Sequence, residues 1–370
     1  MIYLDYQATT PLAPEVRAAM LPWLDRFGNP HSPHRLGREA AAAIDIATAG
    51  VAAALGDAAG RGRLVFTSGA TEAANWALQG ALRQGLRRKI VTIATEHACV
   101  LDTAAWLGEQ GAEIVALPVG ADGLVDLDAA TAAIDERTAL VAAMLVNNEI
   151  GVIQPIETLA ALAHEAGALF FCDAVQGFGR VDLPLDACDL VAISAHKIHG
   201  PKGIGALWLR PGLDWPAFIH GGGQQQGLRS GTLSPMLCAG FGTAARIAEQ
   251  CHTRDLIHVN GLALFLEHMF KDWTINGDRE ARYRGNLNLR RDGVDAGRLI
   301  SEVREVAFSA GSACASGSGR PSHVLRAIGL TEMQARTSIR LGFGRYTTQE
   351  EVEQAARLID QAAARQLEWA

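Results

Sequence analysis

The chain has 370 residues, of which 49% are hydrophobic, so it contains more apolar side chains than the core of one small domain can hold. The net charge of −7 is mild and no basic block is present, which argues against direct binding to nucleic acid or to an anionic membrane. The apolar run 140–146 is too short for a membrane span and the N-terminus has no secretory signal, so the sequence predicts a soluble cytoplasmic protein.

From about residue 40 to residue 250, short apolar runs alternate with Ala-rich helical stretches. The predicted strands are 63–67, 89–94, 113–118, 138–147, 169–173, 190–194 and 205–209. The predicted helices are 38–55, 70–84, 101–110, 127–134 and 156–166. This alternation predicts an α/β fold with a mostly parallel, doubly wound sheet. Because ligands of such sheets lie beyond the carboxyl ends of the strands, the residues that follow the strands are the candidate site residues.

A second, smaller lobe is predicted after a helical stretch that should end near Gln250. Its predicted strands are 286–289, 306–308 and 338–343, and its predicted helices are 296–303, 324–328 and 350–363. A short strand is also predicted at the N-terminus, over 1–6. We therefore expect a large domain of residues 13–250 and a small α+β domain formed by residues 1–12 and 251–370.

Lysine is rare in this chain, where the 33 basic residues include only Lys89, Lys197, Lys202 and Lys271. A position that keeps Lys where Arg is otherwise used is a candidate for chemistry that needs an amine, since Arg cannot form a Schiff base. Lys197 follows the predicted strand 190–194 and precedes a glycine-rich turn, where burial would lower its pKa and make the amine nucleophilic. A surface lysine in a turn explains the same local sequence equally well.

Three more signals follow predicted strands. The segment 67–72 joins a strand to a helix, and its small residues suit a phosphate, although an ordinary capped helix start fits it too. Asp173 ends an apolar strand, where a carboxylate needs either a cationic partner such as a protonated pyridine nitrogen or a role as helix N-cap. His97 could lie against an aromatic ring and move protons, although a lone histidine is more often structural.

The order of these signals, each directly after a strand, resembles that of pyridoxal-phosphate enzymes of fold type I. Specifically, the chain resembles the class V aminotransferase family and, within it, the cysteine desulfurases. The motifs that carry this resemblance lie at 3–10, 28–32, 67–72, 147–151, 173–176, 194–205, 221–223, 229–232, 311–314 and 338–340. The resemblance therefore covers nearly the whole chain, and it implies a mostly parallel seven-stranded sheet.

The resemblance also implies how pyridoxal 5′-phosphate would be held. Lys197 would form the Schiff base with it. The phosphate would be bound by four residues of the same chain, Ala70, Thr71, Ser194 and His196. Thr232 would reach the phosphate of the partner subunit, which implies a homodimer with shared active sites.

Further residues would contact the cofactor ring and the substrate. Asp173 would pair with the pyridinium nitrogen, Gln176 would face the ring hydroxyl, and His97 would stack on the ring. Asn148 would contact the ring region and, together with Arg340, the carboxylate of the substrate L-cysteine.

Cys314 would accept the sulfur. Small residues surround it in the segment 309–321, which predicts mobility, and a thiolate there could attack the substrate sulfur to form a persulfide. L-Alanine would leave after proton transfers by Lys197 and His97. The persulfide would pass to an acceptor protein such as an iron–sulfur scaffold or a tRNA-thiolation enzyme, and Cys314 could briefly ligate a nascent iron–sulfur cluster.

Two departures from the housekeeping desulfurases leave the acceptor open. The segment after Cys314 carries Gly317, Gly319 and Arg320, where relatives often have bulkier or acidic residues. The chain also ends at Ala370, soon after the last predicted helix, without the longer tail that many relatives direct to the scaffold.

Three alternatives stand beside the desulfurase. A plain class V aminotransferase has no need of a cysteine in a glycine-rich loop, whereas a selenocysteine lyase uses the same chemistry. A degenerate, partner-binding subunit predicts the loss of a catalytic residue, yet Lys197, Asp173, His97 and Cys314 are all present.

Overall fold

The computed structural model describes residues 1–57, 60–310 and 322–368. Its strands, in chain order, are β1 (Ile2–Tyr3), β2 (Arg63–Thr67), β3 (Lys89–Ile93), β4 (Glu113–Leu117), β5 (Thr138–Met144), β6 (Leu169–Asp173), β7 (Leu190–Ser194), β8 (Gly205–Leu209), β9 (Thr274–Ile275), β10 (Asn286–Arg290), β11 (Val306–Ala307), β12 (Ser309–Ala310) and β13 (Ser338–Gly342). The strands from β2 to β8 begin where the sequence predicts them, because each is an apolar, partly β-branched run.

The helices flank these strands. In chain order they are α1 (Pro14–Met20), α2 (Arg35–Ala54), α3 (Ala70–Arg83), α4 (Ala98–Glu109), α5 (Leu127–Ala133), α6 (Ile156–Glu165), α7 (Pro235–Met269), α8 (Ala296–Glu302), α9 (His323–Ala327), α10 (Glu332–Arg336) and α11 (Gln349–Glu368). Short 3₁₀ turns lie at Leu21–Leu24, Leu185–Ala187, Ala195–Lys197 and Gln225–Gly227. Within the described ranges, no helix combines the length and the apolar character that crossing a bilayer requires.

The central sheet has seven strands in the order β2-β8-β7-β6-β5-β3-β4. Strand β8 runs antiparallel to both of its neighbours, β2 and β7, and the other neighbouring pairs are parallel. The prediction of an α/β fold with a mostly parallel seven-stranded sheet is therefore confirmed. Because β2, β3, β6 and β7 point the same way, the residues that follow them meet at one edge of the sheet.

A second sheet forms from the C-terminal part of the chain, in the order β12-β13-β10-β9. The N-terminus joins this part, since β1 pairs in parallel with β11 and Asp5 forms an isolated bridge with Gly342. The N-terminal residues thus lie between the two sheets, where they can contact the edge of the central sheet.

The helical stretch predicted to end near Gln250 continues to Met269, so that prediction is wrong. Residues 250–255 are exposed or half-buried and contain neither Gly nor Pro, so nothing in this stretch interrupts the helix. Helix α7 has 35 residues and therefore crosses the predicted domain boundary at residue 250. The division into domains 13–250 and 1–12 with 251–370 stays a prediction.

Candidate active site

A cavity of about 590 Å³ opens at the edge of the central sheet where β2, β3, β6 and β7 end. Its lining includes ten of the residues singled out in the sequence: Ala70, Thr71, His97, Asn148, Asp173, Gln176, Ser194, His196, Lys197 and Arg340. Thr232 is exposed and is not part of this lining. Cys314 lies outside the described residues. The fold thus brings the candidate groups of one chain to a single cavity.

Lys197 lies in the short turn that follows β7 and directs its amine into the cavity. Its Nζ donates hydrogen bonds to the main-chain carbonyl oxygens of Gln7 and, at 2.9 Å, of Ala8. The turn that follows the buried strand β7 fixes the backbone of Lys197, and the carbonyl groups of the N-terminal segment orient its amine. The amine is therefore held at the cavity wall.

Asp173 is the last residue of β6 and only 5% of it is exposed. Its Oδ1 accepts a hydrogen bond from the backbone N–H of Val175 at 3.0 Å. Burial raises the pKa of Asp173, because the charged carboxylate has lost most of its hydration. A cationic group in the cavity would recover that cost.

His97 is the N-cap of α4, and its Nδ1 accepts the backbone N–H of Cys99 at 3.1 Å. Since Nδ1 is an acceptor, the proton of the neutral ring is assigned to Nε2. Burial lowers the pKa of His97, which favours the neutral ring with its proton on Nε2. The structure shows both the capping role and the position at the cavity.

The start of α3 is shaped for an anion. Its N-cap is Gly69, with no side-chain cap, and a Cβ added to Gly69 would meet nothing within 4 Å. Glu72 of the first turn binds the backbone N–H of Ser68 at 2.7 Å and the guanidinium of Arg229 at 2.8 Å. Its charge is thus neutralised. Gly69, Ala70 and Thr71 at the start of α3 line the cavity, where a helix N-terminus favours an anion such as a phosphate monoester.

Neighbouring residues complete this part of the wall. His196 Nδ1 lies 3.1 Å from Thr9 Oγ1, and burial lowers the pKa of His196 to about 4, so its ring is neutral. Gly205 packs against the turn, since a Cβ there would come within 2.8 Å of the carbonyl carbon of Gly69. Only glycine permits this close approach of β8 to the anion site.

Arg340 is 1% exposed and already has a carboxylate partner. Its Nη2 lies 2.7 Å from Asp5 Oδ1, and its Nη1 donates to the carbonyl oxygen of Asn148 at 3.1 Å. The Nε atom is buried without a hydrogen-bond partner in the described residues. The guanidinium of Arg340, which is expected to bind the substrate carboxylate, is thus already bound to Asp5 and to the main chain of Asn148.

Sequence reasoning missed several residues of this cavity. Gln7 and Ala8 act through main-chain carbonyl groups, which no side-chain pattern reveals, although both lie inside the quoted motif 3–10. Asp5 lies in the same motif. Cys99 also lines the cavity, and burial raises the pKa of its thiol, which makes it a poor thiolate.

The lining fits pyridoxal 5′-phosphate on three independent observations. A primary amine, a buried carboxylate and an uncapped helix N-terminus face one cavity, and these are the groups that an aldehyde, a pyridinium nitrogen and a phosphate require. In the described part of the chain, no group of three or more His, Cys, Asp or Glu side chains could hold a metal ion.

Comparison with known proteins agrees with this geometry. Residues 2–355 match the family described as Aminotransferase class-V. The cysteine desulfurase IscS of Rickettsia bellii (strain OSU 85-389) is 45% identical over 370 residues, which cover 97% of this chain and 90% of the relative. The chain belongs to the cysteine desulfurases of the class-V aminotransferase family. Enzymes of this family depend on pyridoxal 5′-phosphate.

Solved structures of the family share the whole architecture. A NifS-like protein has a TM-score of 0.90 at 31% identity, covering 97% of this chain and 98% of its own. SspA, solved in complex with cysteine, has a TM-score of 0.83 at 34% identity, covering 94% of this chain and 100% of its own. The large and small sheets of the desulfurase family are thus both present in this chain.

Proposed function

We propose that this protein uses pyridoxal 5′-phosphate to remove sulfur from L-cysteine, which leaves L-alanine and a persulfide on Cys314. The observation that carries the proposal is the amine of Lys197 beside the buried carboxylate of Asp173, in a cavity bounded by the uncapped start of α3. When bound, the cofactor supplies an electron sink that weakens bonds at the α- and β-carbons of the substrate.

The side chains around the cavity have separate roles in this proposal. Lys197 would hold the cofactor covalently, and the carboxylate of Asp173 would favour a protonated ring nitrogen, because the two opposite charges offset the cost of burying each of them. Lys197 and His97 move protons at the substrate carbons. Arg340 binds the substrate carboxylate with two N–H groups, and Asn148 helps to orient it.

Sulfur transfer uses the thiolate of Cys314, a residue outside the described ranges. That thiolate attacks the substrate sulfur, an S–S bond forms, and the C–S bond breaks with its electron pair left on carbon. Protonation of that carbon then releases L-alanine. The persulfide passes to an acceptor protein, and iron–sulfur cluster assembly is the process that we propose for it, with tRNA thiolation as a second outlet.

The amine is tested with Lys197→Ala. The purified wild type, supplied with pyridoxal 5′-phosphate, should show the visible absorption of a bound cofactor and release sulfide and alanine from L-cysteine in the presence of a reductant. The variant should lose both the absorption and the products. Lys271→Ala, at an exposed lysine, is the matched control and should retain them. A colourless wild type after cofactor addition contradicts the proposal.

The sulfur acceptor is tested with Cys314→Ala, compared with Cys251→Ala, which changes a half-buried cysteine outside the cavity lining. Cys314→Ala should keep the cofactor absorption and lose sulfide release, whereas Cys251→Ala should keep both. Sulfide release that survives in Cys314→Ala removes this residue from its role. Both proteins are also assayed with selenocysteine. A selenocysteine lyase would turn over that substrate without the Cys314 thiol, which distinguishes it from a cysteine desulfurase.

A further inference from the structure

Arg180 lies four residues after Gln176, beyond the end of β6, and it touches two groups that line the cavity. Its Nη1 donates to Gln176 Oε1 at 2.6 Å. Its Nη2 donates to the main-chain carbonyl oxygen of Lys197 at 2.5 Å. One guanidinium thus binds both the backbone of the reactive lysine and a side chain beside it.

The contact with Gln176 fixes which end of the amide faces which neighbour. A guanidinium has only donors, so the amide oxygen must turn toward Arg180. The amide nitrogen then donates to the carbonyl oxygen of Gln7 at 2.9 Å, and that carbonyl also accepts from Lys197 Nζ. If the amide were flipped, its NH2 group would face the guanidinium of Arg180 and its oxygen would face the carbonyl oxygen of Gln7. Both hydrogen bonds would then be lost.

The charge of Arg180 has no matching carboxylate nearby. No described carboxylate lies within salt-bridge distance of it, and its guanidinium carbon lies 5.4 Å from the centre of the Tyr283 ring, a cation–π contact. Burial lowers the pKa of Arg180, yet a guanidinium stays protonated in proteins. Burial is the main cause of the low pKa of His196, and the charges of Lys197, Lys202 and, least, Arg180 lower it further.

We propose that Arg180 is a positioning residue that fixes the amide orientation of Gln176, so that the amide NH2 group would be available to the ring oxygen of a bound cofactor, and that holds the backbone of Lys197. This inference rests on the proposed function, since it concerns the same bound cofactor. It adds an electrostatic effect. The nitrogen that joins Lys197 to the cofactor is cationic when protonated, and both a nearby guanidinium and a donor to the ring oxygen disfavour that form.

Other charged or titratable groups face the same region, and they stay unchanged in the test. On the cavity side they are His97, Cys99, Asp173, His196, Lys202 and Arg340. Behind Lys197, around a small cavity of about 30 Å³, they are Tyr6, His199, His252, Asp255, Tyr283 and Arg345. A shift that appears on changing Arg180 alone is therefore assigned to Arg180.

The test is a pH titration of the visible absorption of the holoenzyme, which reports protonation of the nitrogen on Lys197 without turnover. In Arg180→Met the charge is lost and the amide is free to turn, so the midpoint should rise by about one pH unit. Arg180→Lys keeps the charge but cannot hold both partners, so its midpoint should rise by less. The matched control is Arg87→Met, at a half-buried arginine whose Nη1 binds the carbonyl oxygens of Thr138, Ala166 and Gly167 away from the cavity. It should leave the midpoint in place.

The outcomes separate this inference from the proposed function. A wild type without cofactor absorption refutes the proposed function itself. A coloured Arg180→Met with an unchanged or lowered midpoint overturns the inference and leaves the proposed function standing. If Arg180→Met does not fold, Arg180→Lys decides, because an unshifted midpoint together with unchanged cofactor affinity would then overturn it.

Discussion

Asp5 forms an ion pair with the guanidinium of Arg340, to which the substrate carboxylate is proposed to bind. Its Oδ1 lies 2.7 Å from Arg340 Nη2 and also accepts from Ser309 Oγ at 2.9 Å. The carboxylate of Asp5 therefore competes with the substrate carboxylate for the guanidinium of Arg340. We therefore expect Asp5 both to stabilise the free protein and to weaken substrate binding.

Asp5→Asn should separate these two effects. Arg340 would lose its ion-pair partner while it stays buried, so we expect a loss of roughly 3 kcal/mol in the free energy of unfolding. The KM for L-cysteine should fall several-fold, because the guanidinium is no longer shared. Ser309→Ala is the control, since it removes the other partner of Asp5 and leaves the ion pair intact. A KM that rises instead would show that Asp5 positions Arg340 for the substrate.

Glu149, next to Asn148, is a buried acid with a pH-dependent effect on stability. It is 4% exposed, accepts a hydrogen bond from Ser322, and burial raises its pKa from the ordinary 4.5 to about 7. The folded state therefore binds the proton more tightly than the unfolded state. The stabilisation is complete below the unfolded pKa and is lost as the pH rises through the folded pKa.

Glu149→Gln removes this loss, because the amide can still accept the hydrogen bond and never ionises. Between about pH 5 and about pH 8 the variant should gain roughly 2 kcal/mol relative to wild type, measured by urea unfolding. The exposed Glu157, changed to Gln, serves as the control and should show no such trend. A difference between Glu149→Gln and wild type that is constant across this range would contradict the raised pKa.

At the residue scale, the sequence predicted the side chains that line the cavity better than the hydrogen-bond partners that orient them. Asp173 ends a strand, and Lys197 and His97 lie shortly after one, so a strand prediction also locates them at the sheet edge. Gln7 and Arg180 carry no such signal, because one acts through its carbonyl oxygen and the other is one arginine among many. Their roles depend on contacts between segments far apart in sequence.

At the element scale, helix α7 packs closely on α2 through a glycine. A Cβ added to Gly242 would come within 2.6 Å of the Cα of Ala47, so the two helices approach at that point without a side chain between them. Gly242→Ala should force them apart and destabilise the protein by about 1–3 kcal/mol. Gly261 of the same helix has nothing within 4 Å of its added Cβ.

Gly261→Ala is therefore the matched control for this contact. It should be neutral or stabilise the helix by up to about 1 kcal/mol, since Ala is the better helix former. Thermal unfolding of both variants compares the two positions. Equal effects of the two substitutions would show that helix propensity, and not the contact with Ala47, decides the result.

The same helix marks the limit of element prediction. Strands such as Leu169–Asp173 and Leu190–Ser194 were predictable because short apolar runs are bounded by turn residues. The length of α7 was not, because its polar stretch at 250–255 resembles a linker until the helices that pack on α7 are known. Periodicity predicts that a helix exists better than it predicts where the helix ends.

At the scale of the whole molecule, the exposed Thr232 tests the proposed homodimer with shared active sites. Thr232→Glu should weaken cofactor binding by charge repulsion of the phosphate, and Lys197→Ala should abolish its covalent attachment. A mixed dimer of these two chains would contain one site with both native residues. Co-expression should therefore restore cofactor absorption and sulfide release that neither variant shows alone. No restoration would place Thr232 outside the partner's site.

The ion pair between Asp5 and Arg340 joins positions 335 residues apart. Lys197 likewise takes its acceptors from Gln7 and Ala8, so its amine gains these contacts only when the N-terminal segment has docked. During synthesis on the ribosome, β13 must emerge before Arg340 can pair with Asp5. A chain released before β13 is made would therefore lack the ion pair between Asp5 and Arg340.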